Sequence, residues 1–116
     1  MFDKERKKIE EAIQKWITEY VLSESFKTKK GKGIKEVDKV EFKNLDFEED
    51  SDFRNKVYIY PVRMYVRAWG DSPLSKPRCD LDLKVNKQLI LKYNAETEEY
   101  EILNQNEVAI LDFTPW

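Results

Sequence analysis

The sequence predicts an α+β domain in which one N-terminal amphipathic helix packs on a curved antiparallel sheet of four to five strands. Apolar residues first recur with helical spacing, and after residue 33 they alternate with polar residues, as in strands that are half buried. Turn signals separate these alternating runs. The chain has 116 residues, of which 41% are hydrophobic, enough for one compact core. We therefore assign residues 1–116 to a single domain.

The helix is predicted over residues 3–23. Apolar residues follow the i, i+3, i+4 and i+7 spacing of one helical face, and Lys and Glu occupy the other face. Asp3 is the expected N-cap, and the pattern stops at residues 23–25. The apolar stripe is expected to lie in the core and consists of Ile9, Ala12, Ile13, Trp16, Ile17, Tyr20 and Val21.

Charge is distributed unevenly along the chain. Residues 1–40 contain eleven Lys or Arg and eight Asp or Glu, whereas residues 41–116 contain ten and fifteen. The basic excess is concentrated in a predicted loop at residues 27–35, and an acidic segment at residues 46–52 is also predicted to be a loop. Such loops are most often solvated connections. The candidate phosphate contacts in the basic loop are Lys27, Lys29, Lys30 and Lys32.

The sheet is predicted over residues 36–113, and its first hairpin can be placed in register from its side chains. Setting Trp69 opposite Arg78 places apolar residues opposite each other on the inner face and opposite charges on the outer face. The expected pairs are Val66 with Leu81, Met64 with Leu83, Arg67 with Asp80, and Arg63 diagonally with Asp82.

A second hairpin follows in the same way, with Tyr93 opposite Tyr100 and Lys92 opposite Glu101. Between the hairpins, residues 78–93 form either one long bent strand or two strands separated by a turn at Asn86 and Lys87. The pattern of side chains leaves this choice open.

The order of one helix followed by long antiparallel strands resembles the layout of cystatin-like and nuclear-transport-factor-like domains. The resemblance implies that the helix lies across the concave side of the sheet. It concerns layout alone, since no sequence motif of either family is present. Binding proteins, inhibitors and enzymes all use such folds, so the layout does not select a function.

Most familiar catalytic groups are missing from this sequence. It contains no histidine, and its one cysteine, Cys79, alternates with inward residues and is expected to be buried and unreactive. A single cysteine also excludes an internal disulfide and fits a reducing compartment. Asp80 and Asp82 are better explained by ion pairing than by acid-base chemistry. We predict no enzyme activity, no catalytic residue, no metal site and no cofactor.

No apolar run approaches the roughly 18 residues needed to span a membrane, and the chain starts with a charged helix rather than a signal peptide. We expect a cytoplasmic protein without membrane contact. Small charged chains of this type are common among the accessory and inhibitory proteins of phages and other mobile elements, which is one interpretation of its origin.

A long strand is predicted over Val57 to Trp69, and its outer face is the best candidate for a binding surface. If Pro61 forms a bulge that resets the alternation, aromatic and arginine side chains would face away from the helix. Tyr, Trp and Arg dominate the hot spots of protein interfaces. The expected partner-binding residues are Tyr58, Tyr60, Arg63, Tyr65, Arg67 and Trp69.

The leading hypothesis is therefore a non-catalytic interaction module, an adaptor or stoichiometric inhibitor, that binds a protein partner through this face and the flanking loops. One alternative is binding of single-stranded nucleic acid through the aromatic-arginine stripe, although neighbouring acids would repel phosphates. Another is a small-molecule cavity between helix and sheet. The oligomeric state stays open, including a homodimer through the sheet face.

Overall fold

The computed structural model describes residues 2–23, 33–49, 56–70 and 78–114. It confirms the α+β class, with one N-terminal helix packed on antiparallel strands. Asp3 lies inside the helix, so its prediction as the N-cap is wrong, whereas the helix ends at the predicted point. The elements are α1 Phe2–Leu22, β1 Ile34–Asn44, β2 Phe47–Glu49, β3 Lys56–Ile59, β4 Arg63–Gly70, β5 Leu81–Val85, β6 Leu89–Asn94, β7 Glu99–Ile102 and β8 Ile110–Asp112.

The strands form two four-stranded antiparallel sheets. The first sheet has the order β1-β4-β5-β8 and the second has the order β2-β3-β6-β7. Strands β1 and β2, β3 and β4, β5 and β6, and β7 and β8 follow each other in the chain and hold equivalent places in the two sheets. The sheets are therefore the two halves of one meander of four long strands, each interrupted once. The prediction of one curved sheet corresponds to this meander.

Backbone hydrogen bonds continue between neighbouring long strands at the residues where these strands are interrupted. The Tyr60 amide donates to the carbonyl of Asp46 over 2.9 Å, and the Val85 amide donates to the carbonyl of Val62 over 3.0 Å. Pro61, which has no amide hydrogen, lies in the interruption between β3 and β4. The ladder of each sheet thus extends beyond its regular strands into the interrupted segment.

Residues 78–93 follow one long bent strand that is interrupted once, and they do not form a hairpin. A bend at Asn86 and Lys87 ends β5 and sends the chain into β6, which belongs to the other sheet and does not pair with β5. Both predicted registers are confirmed. Val66 pairs with Leu81 and Met64 with Leu83 in the first hairpin, Trp69 and Arg78 form an isolated bridge, Tyr93 pairs with Tyr100, and Lys92 pairs with Glu101.

Both predicted charged loops overlap with strands in the structure. Phe47–Glu49 in the acidic segment forms β2, because Phe47 packs against the core and the short strand continues the register of β1. At the end of the basic segment, residues 34 and 35 belong to β1, where Ile34 is buried. Gly33 and Asp46 belong to no strand, and residues 27–32 and 50–52 of the two segments lie outside the described residues.

The helix crosses the inner face of the meander and contacts β1 of the first sheet and β7 of the second. Its fully buried stripe is Ile9, Ile13, Ile17 and Val21, spaced by four residues. Ala12 and Trp16 pack against the core but stay half-buried, so their prediction as core residues is confirmed only in part. Tyr20 is 37% exposed, and its prediction as a core residue is wrong. The reason is that the stripe runs along one side of the helix, whereas Trp16 and Tyr20 lie on its flank.

Candidate functional site

The outer face of β3 and β4 displays the predicted stripe of side chains. Alternation along β4 buries Met64, Val66 and Ala68 beneath the helix and leaves the intervening side chains on the opposite face. The interruption at residues 60–62 shifts the alternation by one, as the proline bulge predicted, so β3 buries Val57 and Ile59. The residues that face away from the helix are Tyr58, Tyr60, Arg63, Tyr65, Arg67 and Trp69.

Arg63 and Asp82 form the best-defined contact on this face. The guanidinium donates from Nε to Oδ1 over 2.8 Å and from its terminal nitrogen to Oδ2 over 2.5 Å. This fork lowers the pKa of Asp82 below its ordinary value, mainly through the hydrogen bonds and then through the charges of Arg63 and Lys43. The Phe113 ring lies 5.5 Å from the guanidinium carbon. Arg63 is thus fixed between a carboxylate and an aromatic ring.

Three large hydrophobic side chains surround this contact in the first sheet. Tyr65 is 40% exposed, Leu111 is 41% exposed and Phe113 is 47% exposed. Tyr65 pairs with Asp82 across β4 and β5, and the Phe113 amide donates to the carbonyl of Asp82 over 2.7 Å. Tyr65 and Phe113 therefore lie on either side of Asp82 in one row. These aromatics and the fixed arginine form the central patch, which consists of Arg63, Tyr65, Leu111 and Phe113.

Arg67 and Asp80, which were predicted to pair with each other, each form an ion pair with a different residue. Arg67 contacts Asp38 of β1 over 3.9 Å, and Asp80 accepts from Arg78 over 3.0 Å. The register of β1 against β4 shifts between residues 37 and 39, which brings Asp38 towards Arg67. All four side chains are well exposed, so these ion pairs contribute little to stability.

The tyrosines of the second sheet lie further along the same face. The Lys56 ammonium lies 5.6 Å from the centre of the Tyr58 ring. A hydrogen bond to Glu48 is the main cause that raises the pKa of Tyr60 above its ordinary value. Trp69, at the far end of β4, is half-buried and lies between Glu36 and Arg78. Because Trp69 is half-buried, it is a weaker docking candidate than Tyr65.

Sequence reasoning missed four residues of this face, namely Lys43, Lys84, Leu111 and Phe113. In β8 and the residue that follows it, apolar side chains occupy both faces. Alternation therefore could not separate the exposed Leu111 and Phe113 from Ile110, which packs against the core. In the sequence, Lys43 and Lys84 stand beside inward-facing apolar residues, a pattern typical of solvent-exposed strand positions. Only the pairing of β1, β4 and β5 brings both lysines beside Arg63. The predicted phosphate contacts Lys27, Lys29, Lys30 and Lys32 lie outside the described residues.

A cleft of about 280 Å³ lies on the other side of the molecule, between α1 and the hairpin of β6 and β7. Trp16 and Tyr100 line it together with charged side chains that include Glu11 and Lys15. Burial is the main cause that raises the pKa of Tyr100. The space directly between helix and sheet is filled by fully buried aliphatic residues, so this cleft lies at the rim of that interface.

Chemistry-bearing groups are sparse in the described part of the chain. Cys79 is buried, as predicted, and the described residues contain no group of three or more side chains arranged to hold a metal ion. No helix among them has the length and hydrophobicity to cross a membrane. Comparisons of the chain with protein-family models, with curated proteins and with solved structures found no match. The resemblance in layout to cystatin-like and nuclear-transport-factor-like domains therefore stays a prediction.

Proposed function

We propose that this chain is a non-catalytic intracellular interaction module, an adaptor or a stoichiometric inhibitor, that binds a protein partner through its outer sheet face. The supporting observation is the central patch, where Tyr65 and Phe113 stay exposed on both sides of the Arg63–Asp82 fork. No described element covers this face. Aromatic side chains around a fixed arginine are the typical composition of an interface hot spot.

Preorganisation of the patch supports the same function. Both hydrogen bonds to Asp82 and the contact with Phe113 hold Arg63 in one conformation before a partner arrives. Lys43 donates to the Tyr65 hydroxyl over 3.3 Å, which restricts that ring as well. Side chains that are already ordered lose less conformational entropy on binding, so their contacts contribute more to affinity.

Single-stranded nucleic acid fits this face less well than a protein does. The arginines of the stripe already contact carboxylates, Arg63 with Asp82 and Arg67 with Asp38. Phosphates would approach these acids closely, and the repulsion would offset the gain from stacking on the aromatic rings. A protein partner tolerates the acids because it can place its own cations or hydrogen-bond donors beside them.

The proposal is tested by comparing capture of partners from an extract of the native host by wild type and by the double variant Tyr65→Ser, Phe113→Ser. We expect the double variant to lose at least about tenfold in capture, because truncation of an interface anchor typically costs about 2 kcal/mol or more. Cross-linking of the wild-type complex should attach the partner to lysines on the outer face, such as Lys43.

The matched control is the double variant Tyr20→Ser, Leu22→Ser, which removes two exposed hydrophobic side chains from the end of the helix. It should capture the partner like wild type. Equal capture by all three proteins, at equal folded fractions, would rule out the outer face as the binding site. Sedimentation of the purified chain tests whether the partner is a second copy of the chain. A wild-type dimer that Tyr65→Ser, Phe113→Ser converts to a monomer would show that it is.

A further inference from the structure

A row of three cations crosses the outer face of the first sheet. Lys43 is on β1, Arg63 on β4 and Lys84 on β5, and the pairing of these strands brings them side by side. Arg63 and Lys84 are direct cross-strand partners, and Arg63 also pairs with Asn44, the residue after Lys43. Like charges in directly opposed positions destabilise a sheet. The sequence therefore places positive charge where it opposes folding.

The carboxylates nearby leave this row with an excess of positive charge. Asp82 is engaged by Arg63 through both oxygens, and its side chain is only 13% exposed. In the next rows, Glu41 contacts Lys39 over 2.8 Å and Asp80 contacts Arg78 over 3.0 Å. Among the described residues, Asp82 is the one carboxylate that an ion pair or hydrogen bond joins to this row.

The surroundings of the row are apolar. The Tyr65 ring lies beside Lys43, with 5.7 Å between the ammonium and the ring centre. On the other side, Lys84 pairs with the exposed Leu111 across β5 and β8, and Phe113 stacks on Arg63. A ligand that is complementary to this surface needs a negative group opposite the row of cations and apolar groups opposite the flanking hydrophobic side chains.

Building on the proposed function, we propose that the partner docks an acidic side chain on the row of Lys43, Arg63 and Lys84. Its neighbouring aromatic or aliphatic side chains then cover Tyr65, Leu111 and Phe113. The partner is thus a protein segment in which Asp or Glu stands next to large apolar residues. A nucleic acid is the weaker match, because its successive phosphates need a continuous basic surface. On this face, Glu41 and Asp80 occupy the rows next to the three cations and interrupt such a surface.

The probe is a displayed library of random 16-residue peptides, selected on the immobilised wild-type chain. We expect the enriched peptides to combine Asp or Glu with aromatic or aliphatic residues. The best of them should bind the double variant Lys43→Glu, Lys84→Glu at least about tenfold more weakly than wild type, since charge reversal replaces attraction by repulsion. Its affinity for wild type should also fall as salt rises.

Lys87→Glu is the matched control, because Lys87 is exposed at the bend between β5 and β6 and its reversal changes the net charge in the same direction. It should weaken the selected peptide less than about twofold. Replacing each Asp or Glu of the peptide by Asn or Gln should reproduce the loss seen with the double variant. Binding is compared at equal folded fractions, measured by circular dichroism, so that a loss of binding does not reflect unfolding.

Enrichment of neutral or basic peptides, or of none, would overturn the inference, and so would equal binding of the acidic peptide and its amide counterpart. Tight binding of a 20-nucleotide oligothymidylate at about 50 mM salt that Lys43→Glu, Lys84→Glu abolishes would assign the row to phosphates instead. The failures of the two proposals differ. If capture from the host needs Tyr65 and Phe113 but ignores the lysines and salt, the protein-binding function stands and the acidic partner does not.

Discussion

Arg63 and Lys84 occupy directly opposed positions on β4 and β5, although both side chains are positively charged. Asp82 engages Arg63 from the neighbouring position and offsets one of the two charges. The second charge stays on a half-buried lysine whose other neighbour across the sheet is Leu111. Lys84 thus costs stability in the isolated chain, and a bound acidic group would offset that cost.

The first prediction is that Lys84→Gln stabilises the isolated protein. Removing the ammonium relieves the repulsion with Arg63 while the aliphatic part of the side chain is largely retained. We expect a rise in melting temperature of about 1–3 °C, measured by circular dichroism at low ionic strength. The rise should shrink at high salt, which screens exposed charges.

Lys92→Gln provides the comparison for this prediction. Lys92 stands between Lys56 on one side and Glu101 on the other, so its attractive and repulsive neighbours nearly balance. Its replacement should leave the melting temperature almost unchanged. If both lysine variants shift the melting temperature equally, the stabilisation cannot be attributed to the contact between Arg63 and Lys84.

The second prediction concerns the pH dependence of the fork. The hydrogen bonds from Arg63 lower the pKa of Asp82 in the folded state, so the contribution of Asp82 is fully present above its unfolded pKa of about 3.9. It is lost as the pH falls through the lower folded pKa. Asp82→Asn should therefore lower the melting temperature by about 2–4 °C at pH 7, a modest loss because Arg63 is partly exposed.

The difference in melting temperature between wild type and Asp82→Asn should begin to shrink as the pH falls below about 4, where Asp82 takes up a proton in the unfolded chain. It should close only at lower pH, once the pH has passed the lowered pKa of Asp82 in the folded protein. Thermal unfolding followed at several pH values gives this profile. A constant difference down to pH 2 would show that packing, rather than the ionised fork, causes the loss.

The third prediction separates the buried stripe of the helix from its flank. Ile13 is fully buried, whereas Trp16 is half-buried at the rim of the cleft. Ile13→Ala leaves a cavity and should lower the free energy of unfolding by about 3 kcal/mol. Trp16→Ala removes a larger side chain but exposes its site to water, and we expect a loss of about 1–2 kcal/mol. Urea denaturation of both variants gives the comparison, and a larger loss for Trp16→Ala would place Trp16 in the core after all.

The pairing of strands could be predicted because side chains on both faces constrain it. Shifting β5 by one residue against β4 would place Leu81 and Leu83 on the charged face and break the match of Arg63 with Asp82. The interruptions of the long strands could not be predicted in the same way. They depend on backbone groups that change partners, as at Asn86, whose side chain and amide both contact Ala109. Alternation of apolar residues carries no signal for such contacts.

The candidate site could likewise be predicted from the sequence only in part. The stripe from Tyr58 to Trp69 lies on one strand, so its alternation and the bulge at Pro61 were sufficient to predict which side chains face outward. The central patch and the row of cations combine side chains from β1, β4, β5 and β8. Their proximity depends on strand order, and the pairing of β8 with β5 had no side-chain complementarity from which it could be inferred.

Asn104 lies between β7 and β8, where the fourth long strand is interrupted, and its side chain bonds to the backbone of the neighbouring strand. Its side-chain carbonyl accepts from the Ile90 amide over 2.9 Å, and its side-chain NH₂ group donates to the carbonyl of Gln88 over 2.9 Å. One amide side chain thus makes the two hydrogen bonds that a paired strand would otherwise make with the backbone of Gln88 and Ile90. This contact closes the ladder between the two sheets at the edge of the meander.

The fourth prediction is that Asn104→Ala lowers the free energy of unfolding by about 1–2 kcal/mol, because it leaves two partly buried backbone groups without partners. Asn104→Asp has the same shape and keeps the acceptor for Ile90, but it turns a second oxygen towards the carbonyl of Gln88. That repulsion raises the pKa of the new carboxyl group in the folded state, so the variant should be weakest at neutral pH and recover as the pH falls and the group becomes a donor. Urea denaturation at pH 7 and pH 4 measures both effects. If Asn104→Asp matches wild type at pH 7, the hydrogen bond to Gln88 contributes nothing and the connection between the sheets relies on the backbone alone.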